Sequence, residues 1–118
     1  MNPRIKTAID YIEKNYDKKI SLKEISQISD LSTSHFCCLF KSELEMCFTR
    51  YLKLHRMKRA KNFLENTDLL IKQIVYQVGY RDLSNFSHDF RKIFGTSPSK
   101  FRKLSAFSKQ VHQYEEEF

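Results

Sequence analysis

The stretch from Ile74 to Arg102, IVYQVGYRDLSNFSHDFRKIFGTSPSKFR, leaves a folded chain few options. Ile71, Ile74, Val75 and Val78 recur at helical steps and give way to Gly79, and Phe86, Phe90 and Ile93 then mark the apolar face of a second helix. A glycine enters the left-handed conformation without steric penalty, so Gly79 suits a tight turn, and Asp82 suits the cap of the helix that follows. Leu83, Ser84, Ser87, His88 and Arg91 are left facing away from the core. Gly95 ends this helix, and Thr96-Ser97-Pro98 opens another, with Ser97 as cap and Pro98 at the first helical position. The spacing therefore predicts a helix-turn-helix braced by a third helix. Short polar groups backed by a basic residue fit the edge of a DNA major groove.

The pattern occurs twice. Leu22 and Ile25 precede Ile71 and Ile74 by 49 positions, while Phe36, Phe40 and Lys41 precede Phe86, Phe90 and Arg91 by 50, so one residue separates the two spacings. In the earlier copy, Ser21 and Glu24 have the spacing of a capping box ahead of Leu22, Ile25 and Ile28. Ser29-Asp30-Leu31 makes the turn and Ser32 caps the next helix, which turns Phe36, Leu39 and Phe40 inward and Thr33, Ser34, Cys37, Cys38 and Lys41 outward.

Upstream, Asn2-Pro3 opens a helix with Ile5, Ala8, Ile9, Ile12 and Tyr16 on one face. Between the copies, Phe48, Leu52, Met57, Ala60 and Leu64 keep helical spacing, with Asn66-Thr67-Asp68 as the stop, and a helix of this length spans about 27 Å. Six basic residues, Arg50, Lys53, Arg56, Lys58, Arg59 and Lys61, crowd this helix, and at most a few of them can meet phosphates. The expected fold is all-α, with seven helices. Residues 1–47 form an N-terminal helix-turn-helix subdomain, 48–66 a linker helix, 67–105 a C-terminal helix-turn-helix subdomain and 106–118 a tail. Phe107, Val111 and Tyr114 stand at helical steps in that tail, which either continues the last helix or hangs loose.

Lys and Arg outnumber Asp and Glu 21 to 14, for a net charge of +7, which favours a polyanionic partner. Apart from the Glu115–Glu117 run, the two halves carry an equal positive excess. Cys37, Cys38 and Cys47 are odd in number and lack a CxxC spacing, and no apolar run is long enough to span a bilayer, so reduced thiols in the cytoplasm are expected, with no membrane partner. His35, Cys37 and Cys38 lie close in sequence, but adjacent helical residues point about 100° apart and no fourth ligand is evident. No metal and no other cofactor is expected.

The set Ile71, Ile74, Val78-Gly79-Tyr80, Asp82, Asn85-Phe86-Ser87, Phe90, Gly95, Ser97-Pro98 and Phe101-Arg102 resembles the signature segment of the AraC/XylS family of bacterial transcription regulators, and Tyr51, Arg56-Met57, Ala60-Lys61 and Leu64 extend the likeness. The resemblance covers roughly residues 3 to 104. It implies two homeodomain-like helix-turn-helix units, double-stranded DNA as partner, RNA polymerase as a second candidate partner, and no enzymatic activity. It places Ser34, Cys37 and Cys38, and Leu83, Ser84, Ser87 and His88, where relatives touch bases. Phosphate contacts are expected from Lys41, Arg91, Lys92 and Lys100 and at the helix starts marked by Ser21 and Ser97. Ser26 and Val75 stand where the family usually has alanine, and Glu45 where it commonly has glycine, which would strain Glu45 if that turn needs a positive φ. Both reading helices lie in one polypeptide and the two cores account for the apolar residues at helical spacing, so a monomer is expected. Two other readings compete. A weakly specific architectural protein would bend DNA with little sequence preference. The DNA-binding module of an alkylation-repair protein would sit beside a zinc-bound cysteine, for which no four-cysteine pattern exists here.

Overall fold

The computed structural model describes the backbone of residues 1–116 and the side chains of residues 1–107. The described chain is all helical: α1 (Pro3–Asn15), α2 (Leu22–Ile28), α3 (Thr33–Leu44), α4 (Phe48–Asn66), α5 (Ile71–Gln77), α6 (Leu83–Phe94) and α7 (Pro98–Glu116). It divides into two compact units, Met1–Arg56 and Met57–Phe118, with the border inside α4.

In the first unit Ile5, Ala8 and Ile12 of α1 pack with Ile25 of α2, Phe36 and Phe40 of α3, and Phe48 and Leu52 from the start of α4. The Phe36 and Phe40 ring centroids lie 5.5 Å apart, and Phe48 meets both edge-on. Asn2 caps α1 by accepting from the Arg4 amide at 2.9 Å, ahead of Pro3. At the other end of α1, Arg56 donates to the carbonyls of Tyr16 (2.7 Å) and Lys18 (2.8 Å). A cation is thereby held where the helix dipole is negative.

The second unit repeats this plan. Met57, Ala60 and Leu64 of α4 are buried at the same three- and four-residue steps as Ile5, Ala8 and Ile12 of α1, and Ile74, Val75, Val78, Phe86 and Phe90 complete the core. Phe101 of α7 lies 5.5 Å from Phe90, as Tyr51 of α4 lies 5.5 Å from Phe40. The start of α4 thus stands to the first unit as α7 stands to the second, and the end of α4 stands to the second as α1 stands to the first. The five-residue step from Leu52 to Met57 breaks the three-and-four spacing where one role gives way to the other. Arg102 closes the C-terminal end of α4 by donating to the carbonyls of Leu69 (2.5 Å), Thr67 (3.2 Å), Leu64 (3.3 Å) and Phe63 (3.5 Å).

Two expectations change in the structure, and one left open is decided. The capping box at α2 is half formed: Ser21 Oγ accepts from the Glu24 amide at 3.0 Å, but the Glu24 carboxylate accepts from the Tyr11 hydroxyl at 3.0 Å instead of turning back. The nearby carboxylate raises the Tyr11 pKa, chiefly through that hydrogen bond. The apolar residues are not all consumed by the two cores, because Leu70, Tyr76, Leu104 and Phe107 are more than half exposed. Of the two courses open to segment 106–118, its described length takes the first, since α7 runs on to Glu116, with the side chains of Val111 and Tyr114 outside the described residues. Ser26, in an alanine's place, is buried and satisfied by donating to the Lys23 carbonyl at 3.0 Å.

Candidate nucleic-acid interface

Each candidate reading helix is fixed at both ends by its own sequence. The turn after α2 returns the Leu31 amide to the Ser26 carbonyl (3.0 Å) and the Asp30 amide to the Gln27 carbonyl (3.1 Å), and the turn after α5 makes the same pair from Tyr80 to Val75 (3.0 Å) and Gly79 to Tyr76 (3.1 Å). These are Schellman closures, which need a left-handed residue. Gly79 supplies it with φ 92°, and Asp30 with φ 56°. Aspartate tolerates that region better than most side chains, which is the signal that marks Asp30 as the counterpart of Gly79.

The helices that follow then start alike. Ser32 Oγ accepts from the His35 amide at 3.2 Å and Asp82 from the Asn85 amide at 2.8 Å, with Asn85 Nδ2 donating to the second Asp82 oxygen at 3.0 Å. Both helices are 12 residues long. Both end on a left-handed residue, Glu45 (φ 60°) and Gly95 (φ 78°), whose amides return to the carbonyls of Lys41 and Arg91 at 2.8 Å each. Tyr80 donates to Asp89 at 2.6 Å and ties the second turn to the middle of α6.

With Phe36, Phe40, Phe86 and Phe90 buried, the opposite faces open outward. Ser34, Cys37, Cys38 and Lys41 of α3 are exposed, as are Leu83, Ser84, His88, Arg91 and Lys92 of α6, while Ser87 is half-buried. His35 and Asn85, at matching positions, are exposed too, as is Arg81 ahead of the α6 cap. Neither α3 nor α6 has an acidic residue in its first turn, and in the last turn α3 carries Lys41 and α6 carries Arg91 and Lys92. The Ser21 and Ser97 hydroxyls serve as caps, Ser97 Oγ accepting from the Lys100 amide at 3.2 Å, and each hydroxyl keeps its own O–H, beside the first-turn amides, to donate to an anion.

On α4 the basic residues divide. Arg56 is spent on the end of α1, the Arg59 guanidinium lies 5.9 Å from the Phe63 ring centroid, and Lys61 Nζ lies 5.8 Å from that of Phe94. Lys58 and Arg50 are exposed. Among the described residues no group of three His, Cys, Asp or Glu side chains is placed to hold a metal ion, and no helix is long and apolar enough to cross a membrane.

A helix-turn-helix domain family matches residues 25–104. The lactose operon transcription activator of Staphylococcus xylosus is 37% identical over 102 residues, 86% of this chain and 37% of its own length. A crystal structure of a Chromobacterium violaceum transcriptional regulator described by its AraC-type DNA-binding domain matches with a TM-score of 0.82 at 27% identity, covering 88% of this chain and 93% of that one. This chain belongs to the AraC-type helix-turn-helix family. The DNA-binding domain of AdpA, a global transcriptional factor solved with a target DNA, shares the fold with a TM-score of 0.83 at 17% identity over 87% of this chain and 93% of its own. The AraC-type chain spans about a third of the length of most of the curated relatives it matches.

Proposed function

We propose that this chain is the sequence-specific DNA-binding module of a bacterial transcription regulator acting in the cytoplasm, and that α3 and α6 enter successive major grooves of one duplex. The observation that carries this reading is the paired presentation of two reading helices, each capped, each backed by two buried phenylalanines, and each turning short polar side chains and a basic last turn to solvent. Ser34, Cys37 and Cys38 on α3, with Leu83, Ser84, Ser87 and His88 on α6, meet base edges. Lys41, Arg91, Lys92 and Lys100, with the amide end of α7, meet phosphates. None of the base-facing side chains is an arginine, glutamine or asparagine able to make a bidentate base contact, so shape and bending of the duplex supply the remaining selectivity. One polypeptide carries both helices, so a single copy is the unit that binds.

Titration of cognate and random duplexes across a salt series tests the assignment. Arg91→Ala weakens both duplexes equally and reduces the salt slope by about one phosphate contact. His88→Ala instead narrows the difference between cognate and random duplex by about 1–3 kcal/mol. A cognate-to-random ratio unchanged by His88→Ala removes His88 from the reading face.

A further inference from the structure

The matched ends of α3 and α6 have a consequence for the DNA. Because both helices begin one residue after a cap bonded to the third amide, end on a left-handed residue, and bury phenylalanines at the same two positions, residues 50 apart stand at the same point on the two outward faces. Ser34 matches Ser84. Cys37 matches Ser87, a thiol against a hydroxyl of the same shape. Thr33 matches Leu83, and both present a methyl group able to meet a thymine methyl. Lys41 matches Arg91, both exposed cations in the last turn. Because a thiol hydrogen-bonds weakly and behaves as a small apolar group, Cys37 departs from Ser87 in chemistry though not in shape, and the widest departure at a reading position is Cys38 against His88, whose imidazole donates and accepts hydrogen bonds strongly.

We propose that the two helix-turn-helix units read related DNA subsites, most alike opposite Thr33 and Ser34 and opposite Leu83 and Ser84, and most divergent at the base pair that faces Cys38 in one subsite and His88 in the other. The inference rests on the reading of α3 and α6 as base-facing helices, and it names the kind of operator they fit: an imperfect internal repeat, with Cys38 and His88 as the residues that set the two halves apart. A side chain able to hydrogen-bond strongly at only one of two equivalent positions makes that base pair selective in one subsite and permissive in the other.

Selection of bound duplexes from a randomised double-stranded library, with the whole chain as bait, tests this directly. The enriched pool is expected to contain two segments that agree opposite the starts of α3 and α6 and differ most at the position facing Cys38 or His88, with the stricter base preference in the segment bound by α6. The Cys38→His chain, altered at an exposed position, should enrich segments that agree at that position as well. The His88→Cys chain should relax the preference there on the order of tenfold. Two enriched segments with no sequence in common, or a Cys38→His pool identical to that of the unaltered chain, overturn the inference while leaving sequence-specific binding intact. A pool that enriches no sequence overturns both.

Discussion

At the residue scale, the two ends of the reading helices show how one backbone position is solved with different side chains. Gly95 and Glu45 both sit in the left-handed region, and a Cβ placed on Gly95 would meet nothing within 4 Å, so the difference between them is one of backbone strain alone. Replacing Glu45 with glycine removes that strain and is expected to raise stability by about 1 kcal/mol. Gly95→Ala is expected to lower it by a similar amount, with both read from urea unfolding midpoints. Loss of stability in the Glu45→Gly chain would show that this turn is held by the glutamate side chain. Cys47 presents a second case. It stands ahead of α4 as Ser97 stands ahead of α7, with its Sγ 3.3 Å from Thr49 Oγ1. The hydrogen bond from Thr49 and the Arg50 amide lower its pKa. A depressed thiol pKa means that the folded state loses this proton first. The resulting contribution to stability is present above the unfolded thiol pKa and fades as pH falls through the folded one. Iodoacetamide labelling of Cys47, followed by mass spectrometry against pH, should therefore rise at lower pH in the folded chain than in urea. Coincident profiles would remove the cap from the explanation.

At the element scale, each unit uses an arginine to close the end of a helix from a distant point in the chain. Arg102 spans four carbonyls around the end of α4, and Arg56 spans two beyond the end of α1. Hydrogen bonds from a charged donor to part-buried carbonyls are among the stronger ones, and truncation of Arg102 takes this donor from the carbonyls of Leu64, Thr67 and Leu69, while that of Phe63 keeps its bonds from Thr67. Arg102→Ala is expected to cost about 2–3 kcal/mol, with Arg102→Lys recovering little because an ammonium cannot span the same fork. Amide hydrogen exchange should show the loss of protection concentrated in α5 to α7 and the end of α4. A uniform loss across α1 to α3 as well would argue against a local latch.

At the scale of the whole molecule, α4 is a component of both cores. Burying Met57 and Leu64, with Ala60, is worth about 4–6 kcal/mol, comparable to the entire stability of a small domain. A fragment of residues 67–118 lacks these side chains and is expected to be unfolded by circular dichroism and amide chemical-shift dispersion, whereas 48–118 folds. In the same way 1–47 lacks Phe48, Leu52 and the Arg56 latch and fails, while 1–66 folds. A folded 67–118 fragment would show that the end of α4 is dispensable to the second core.

The sequence alone determined the elements and the outward faces, because both follow from local rules. Apolar residues at three- and four-residue steps mark which side of a helix is buried, and Ser21, Ser32, Asp82, Ser97 and Gly79 announce helix starts and the turn through their own backbone chemistry. The 49- and 50-residue offsets made the duplicated helix-turn-helix legible, and the turn after α5 is the place where the extra residue lies. Tertiary structure alone decided where Glu24, Arg56, Lys61 and Arg102 point, since a long polar side chain carries no periodic signal for the distant atom it meets. It alone decided that α4 belongs to both cores. A stripe of apolar residues on one helix shows that it is buried but not against which partners, and only the packed chain assigns Leu52 to one core and Met57 to the next.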